Sequence, residues 1–128
     1  MRPIRLAAVS ALAVVALTGC EKQIKAPFDQ GVCMHVVTNK DGSLKFNPVA
    51  HDVPNLETCA ATLEGMRIRF LRLGAPNSNM TGSYQGSFLF IEKEGIYVGQ
   101  TYDGPRFMSL VRTGDGRLAV PGAIRPAQ

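Results

Sequence analysis

The 128-residue chain holds only two histidines, His35 and His51, and three cysteines. That small stock leaves little material for metal binding or general acid–base chemistry, which draw on these side chains. No run of about 20 apolar residues is present, and the longest, Leu6 to Leu17, covers roughly 12, too few to span a bilayer as a helix. Basic residues outnumber acidic ones, 14 to 10, but form no clustered stripe of the kind that nucleic-acid binding requires. There is no G-x-S-x-G elbow ahead of a helix and no pair of carboxylates at a readable spacing. Gly82, Gly86, Gly95 and Gly99 fall in or between predicted strands, so they open no helix as a phosphate loop would. Internal repeats and low-complexity tracts are also missing.

What is present is concentrated at the N-terminus. Arg2 and Arg5 precede the apolar run, small residues follow it, and the stretch closes on Leu17-Thr18-Gly19-Cys20. This order is that of a secretory signal, and its last four residues resemble the lipobox of bacterial lipoprotein precursors. The resemblance implies cleavage before Cys20, lipid attachment to its sulfur and acylation of the new N-terminus. Several acyl chains anchor durably where one holds marginally, so the expected product is a membrane-tethered protein on the periplasmic side. In the best-known Gram-negative systems an Asp after the cysteine retains lipoproteins at the inner membrane. Here that residue is Glu21, which favours the outer membrane.

Three consequences follow for the rest of the chain. Removal of residues 1–19 leaves roughly 110 residues, enough for one small domain. The formal charge of +4 falls when Arg2 and Arg5 leave, so the sequence overstates the basicity of the product. With Cys20 lipidated, Cys33 and Cys59 remain as an even pair in an oxidising compartment, and a disulfide between them is expected.

Residues 20–30 read as a lipidated tether, with polar Glu21, Lys22, Gln23 and Lys25 and the helix-discouraging Pro27. Residues 31–128 read as a single small α+β domain. Val32 to Thr38 and Leu44 to Val49 form an N-terminal β-hairpin around Asn39-Lys40-Asp41-Gly42, with Pro48 marking an edge or exit. Asn55 is a preferred cap for one main helix, whose residues Leu56, Cys59, Ala60, Leu63, Met66, Phe70 and Leu73 share a face before Gly74 stops it. Against this, Gly65 and the alternation of Met66-Arg67-Ile68-Arg69-Phe70 leave open a shorter helix followed by a strand. From Thr81 the pattern is β, with strands expected at Ser83–Ile91, Ile96–Tyr102, Phe107–Thr113 and Arg117–Pro121, a four-stranded antiparallel meander with the helix on one face. Period-two alternation puts Tyr84, Phe88 and Phe90 on one face of the first of these, and Phe107 with Val111 opposite Met108 and Leu110 on the third. Both faces are then apolar, and the second needs cover from the chain itself or from a partner.

Chemistry candidates are sparse. Cys33, His35, His51 and Cys59 are zinc-ligand types, but in no standard spacing and with their thiols expected to be oxidised. Met34 would point away from Cys33 and His35, which removes a copper set. His51-Asp52 with a serine can be assembled on paper, but adjacent residues of an extended segment point apart. Arg67, on the apolar side of the helix, is either an anion or partner contact or an internal partner of Glu64. The expectation is therefore a non-enzymatic interaction or accessory protein of the cell envelope, without cofactor, metal or nucleic acid, bound to the membrane through Cys20 and to an envelope protein. The alternative is a small-ligand binder with its pocket between sheet and helix, where Arg67, Tyr84 and Tyr97 would make contact.

Overall fold

The computed structural model describes residues 23–76 and 79–121. The stretch read as signal sequence and lipobox, with Cys20, lies outside the described residues. The chain folds as α+β, with one helix and one antiparallel sheet of seven strands. β1 (Cys33–Thr38) and β2 (Leu44–Ala50) are joined at Asn39 to Ser43, where Gly42 takes φ +87° and Asn39 N–H donates to the Ser43 carbonyl at 2.8 Å. Then come α1 (Leu56–Arg72), β3 (Met80–Tyr84), β4 (Ser87–Ile91), β5 (Ile96–Gly99), β6 (Arg106–Arg112) and β7 (Leu118–Ala119). The spatial order is β2-β1-β3-β4-β5-β6-β7. The first two strands are thus not a separate hairpin: β1 also pairs with β3 and carries the sheet across the helix connection. Pro48 lies on β2, an edge strand, where its missing N–H costs no ladder bond.

The helix is continuous through Met66 to Phe70, which removes the helix-then-strand alternative. Asn55 Oδ1 accepts from Thr58 N–H at 2.8 Å, one of the donors that a helix start leaves unpaired. At the other end Gly74, at φ +89°, donates to Leu71 O while Ala75 donates to Phe70 O, the paired bonds of a Schellman stop. A Cβ at Gly65 would meet nothing within 4 Å, so this glycine marks no close packing and carries only its propensity cost.

After the helix the meander has five strands, not four. The expected strand Ser83–Ile91 is two, folded back at Gln85 (φ +43°) and Gly86 (φ +84°), a two-residue turn with both dihedrals left-handed. Tyr84 therefore pairs with Ser87 and joins Leu89 and Ile91 on the helix side, while Phe88 and Phe90 face the other way. On β6, Ser109 is an extra residue: Ile96 pairs with Leu110 but Tyr97 with Met108. Such a bulge reverses alternation, so Phe107 and Leu110 share the helix side, contrary to simple period-two counting.

Two cores result. On the helix side Cys33, Val53, Cys59, Ala60, Leu63, Tyr84, Leu89, Ile91, Ile96 and Leu110 are buried together. On the other, Phe88 and Phe90 meet Phe46 and Tyr102 at ring separations near 6 Å, and the Arg106 guanidinium lies 3.4 Å from the Phe90 centroid. Ile24 and Ala26 pack on this second core. Lys25 bridges to Thr101, Tyr102 N–H donates to Ile24 O at 3.0 Å, and Gly86 N–H to Pro27 O at 3.2 Å. Much of the segment expected as tether, 20–30, is thus fixed to the sheet from Ile24 onward and supplies part of the cover that the second apolar face requires.

The close approach of α1 sets one sharp requirement. A Cβ on Gly82 would stand 2.2 Å from Leu63 Cδ1 and 2.9 Å from the Met34 carbonyl. Gly82→Ala is expected to destabilise by about 2 kcal/mol through overpacking, read as a lower urea midpoint at unchanged slope. An unchanged midpoint would show that the helix is free to lift.

Candidate functional site

Cys33 and Cys59 are joined, with an S–S distance of 2.01 Å and Cα atoms 5.3 Å apart. The bridge is fully buried and ties β1 to the first turns of α1. Its formation takes both thiols from the zinc-type set. His35 shares the helix side of β1 with Cys33, lies 6.1 Å from the Phe70 ring, and has its pKa lowered by burial. His51 is exposed in the bend after β2. Among the described residues no group of three or more His, Cys, Asp or Glu is placed to hold a metal, and no helix is long and apolar enough to cross a membrane.

The three residues expected to meet a ligand or partner do not converge. Tyr84 is buried on the helix side, and its hydroxyl donates to Val53 O at 2.6 Å. Tyr97 packs against the aromatic core on the opposite face. Arg67 is engaged by Glu64: Nε donates to Oε2 at 2.9 Å and Nη2 to Oε1 at 2.7 Å. The internal-pair alternative is therefore the one the fold adopts.

That pair is half of a larger arrangement. From β6, Arg112 sends Nε to Glu64 Oε1 and Nη2 to Oε2, each at 2.8 Å, while its Nη1 donates to the carbonyls of Glu92 and Lys93. One buried carboxylate thus receives two forked guanidiniums, the geometry that suits arginine. Burial by itself would raise the Glu64 pKa, but the hydrogen bonds and charges of Arg112 and Arg67 outweigh it and hold the group at about 2. The Glu64–Arg67 spacing was readable in the sequence; Arg112, 48 residues from Glu64, was not.

Apolar exposure gathers at two opposite ends of the sheet. One end holds the Gln85-Gly86 turn, the start of α1 and the N-terminal segment. Phe28 (70% exposed) and Phe107 (71%) stand there, and Phe107 forms an open groove of about 440 Å³ with Gln23, Val98 and Pro105. The main contacts of α1 are with β3 and β4, and Phe107 on β6 stays open to solvent. The other end receives the last turn of α1, about 25 Å away along a 17-residue helix. There Leu73 is 82% exposed, with Phe70 and Leu71 partly so. Phe70 and Leu73, expected on the apolar face of the helix, border the solvent. A separate depression, about 500 Å³, runs between α1 and β6–β7 past Gly65, Ile68, Leu110, Leu118 and Val120.

Comparison with protein-family models, with curated proteins and with solved structures finds no match for this chain.

Proposed function

We propose that this is a lipid-anchored protein of the periplasmic side, favouring the outer membrane, that works by binding an envelope protein and not by catalysis. The observation that carries the reading is the apolar end of α1: Phe70, Leu71 and Leu73 are exposed and lie beside exposed Arg69 and Arg72. Large apolar side chains clustered on a surface and rimmed by charge are a common mark of a protein-binding patch. The arginine rim suits a partner with acidic residues around an apolar centre. A photo-crosslinking residue at Leu73, in intact cells, is expected to yield a discrete crosslinked species. With the photo-crosslinking residue at Phe70 instead, Leu73→Glu should remove that species and weaken binding of the purified partner at least tenfold, without lowering the unfolding midpoint, because the Leu73 side chain is 82% exposed. Absence of any crosslinked species from both Leu73 and Phe70 would defeat the reading.

A second reading rests on the depression between α1 and β6–β7, whose apolar Ile68, Leu110, Leu118 and Val120 suit a small apolar ligand. Native mass spectrometry separates the two, since only the ligand reading expects a small-molecule adduct on the purified protein.

A further inference from the structure

We infer that the end of the sheet carrying Phe28 and Phe107 lies against the bilayer, with both rings in the lipid interface and the tip of α1 turned away from it. The inference rests on the lipid-anchor reading of Cys20 and adds an orientation to it. The geometry starts from Gln23, which lines the groove beside Val98, Pro105 and Phe107. From Cys20 to Gln23 the chain can reach at most about 10 Å. A lipid on Cys20 thus keeps this groove within that distance of the headgroups. The chain cannot swing away from it, because Ile24 onward is fixed to the sheet by the Lys25–Thr101 bridge and the bonds to Tyr102 and Gly86.

The chemistry of this end suits an interface. Phe28 and Phe107 are its most exposed large apolar side chains, and the groove that Phe107 forms with Val98 and Pro105 is open. Charge does not explain the placement, since the described basic residues of this end, Lys25 and Arg106, are accompanied by acidic Asp29 and Asp103 and form no basic cluster. Apolar insertion and the anchor therefore carry the contact, and it should be insensitive to salt, unlike a polybasic surface. The lipid surface also makes sense of the opposite end: with the anchor side occupied, Phe70, Leu71 and Leu73 face outward where a partner arrives.

The chain has no tryptophan, so a single one reports on its own position. Phe107→Trp, Phe28→Trp and Leu73→Trp all replace exposed side chains and should fold. Each full-length variant, processed in cells and purified, is reconstituted in vesicles of phosphatidylethanolamine and phosphatidylglycerol, half of them brominated near the top of the acyl chains. Mass spectrometry first reads the lipid on Cys20. The emission of Phe107→Trp and of Phe28→Trp should shift to the blue and fall by roughly half in brominated lipid, as for rings about 5–10 Å below the headgroups, with no change when salt is raised. The indole of Leu73→Trp should remain water-exposed and unquenched. If Cys20 carries no lipid, the anchor reading falls and the orientation with it. If Cys20 is lipidated but the indoles of Phe107→Trp and Phe28→Trp stay water-exposed, or that of Leu73→Trp is quenched equally, the orientation alone is overturned.

Discussion

Removing the Cys33–Cys59 bridge, as Cys33→Ala with Cys59→Ala, should lower the unfolding midpoint by roughly 15–25 °C. The bridge closes a loop with a sequence separation of 26, which in the chain-entropy account contributes about 3.5 kcal/mol by restricting the unfolded chain. In a domain this small each kcal/mol moves the midpoint by about 4–8 °C, and native stability as a whole is only about 5–15 kcal/mol. Both cysteines are fully buried, so the alanines also leave unfilled space that adds to the loss. Either single substitution should cost nearly as much as the double one, because the cross-link vanishes with its first sulfur. Circular-dichroism melts of the two single variants, the double variant and the wild type with and without reductant provide the check. A midpoint drop under 5 °C in the double variant would mean that the helix–strand contact is held by Leu63, Leu89 and Tyr84 alone. Reduction of the bridge should remove the cross-link's share of that stability but leave the volume of the two sulfurs in place, so the reduced wild type should melt above the double alanine variant.

How much of this was legible in the sequence depends on how local each signal is. Asn55 and Gly74 bounded the helix correctly because caps act within four residues. Gly65 invited a break, but its cost of about 1 kcal/mol is outweighed by the burial of Leu63 and Met66 on either side. The Gln85-Gly86 turn was missed because Ser83 to Ile91 reads as one continuous strand, and glutamine is an uncommon residue in a left-handed position. Its reason for being there is distant: Gln85 Oε1 accepts from Gly31 N–H at 2.9 Å, 54 residues away. The bulge at Ser109 is equally silent locally, yet it decides that Phe107 and Leu110 share a face. Of the candidate site residues, the disulfide pair could be reasoned from compartment and count. Arg67, Tyr84 and Tyr97 could not be placed together or apart without knowing the sheet's turns.

Glu64→Gln is expected to cost about 3–5 kcal/mol, the loss typical when one partner of a buried ion pair is removed and the other stays. Gln preserves shape, so the loss isolates charge: Arg67 and Arg112 would remain largely buried around a neutral amide that has one acceptor in place of two. The pH dependence should have a definite sign. Glu64 falls from an ordinary 4.5 to about 2 in the folded protein, since the two arginines outweigh the burial that would raise it. Its contribution, on the order of 3 kcal/mol, is therefore complete above pH 4.5 and is lost as pH falls from there toward 2. Between those limits the wild type should lose stability with acid, while Glu64→Gln should show a shallower decline because its position 64 no longer titrates. Urea unfolding at several pH values on both proteins measures the difference. A further variant separates the triad's charge from its packing. If Arg112 is uncompensated in Glu64→Gln, then adding Arg112→Met should recover part of the loss, because an apolar side chain needs no counter-charge and replacing buried ionic groups by apolar ones is often neutral or stabilising. Equal slopes for wild type and Glu64→Gln below pH 4.5 would show that the two arginines do not hold this carboxylate, and that the β6–α1 connection rests on Leu110 and Leu118 instead.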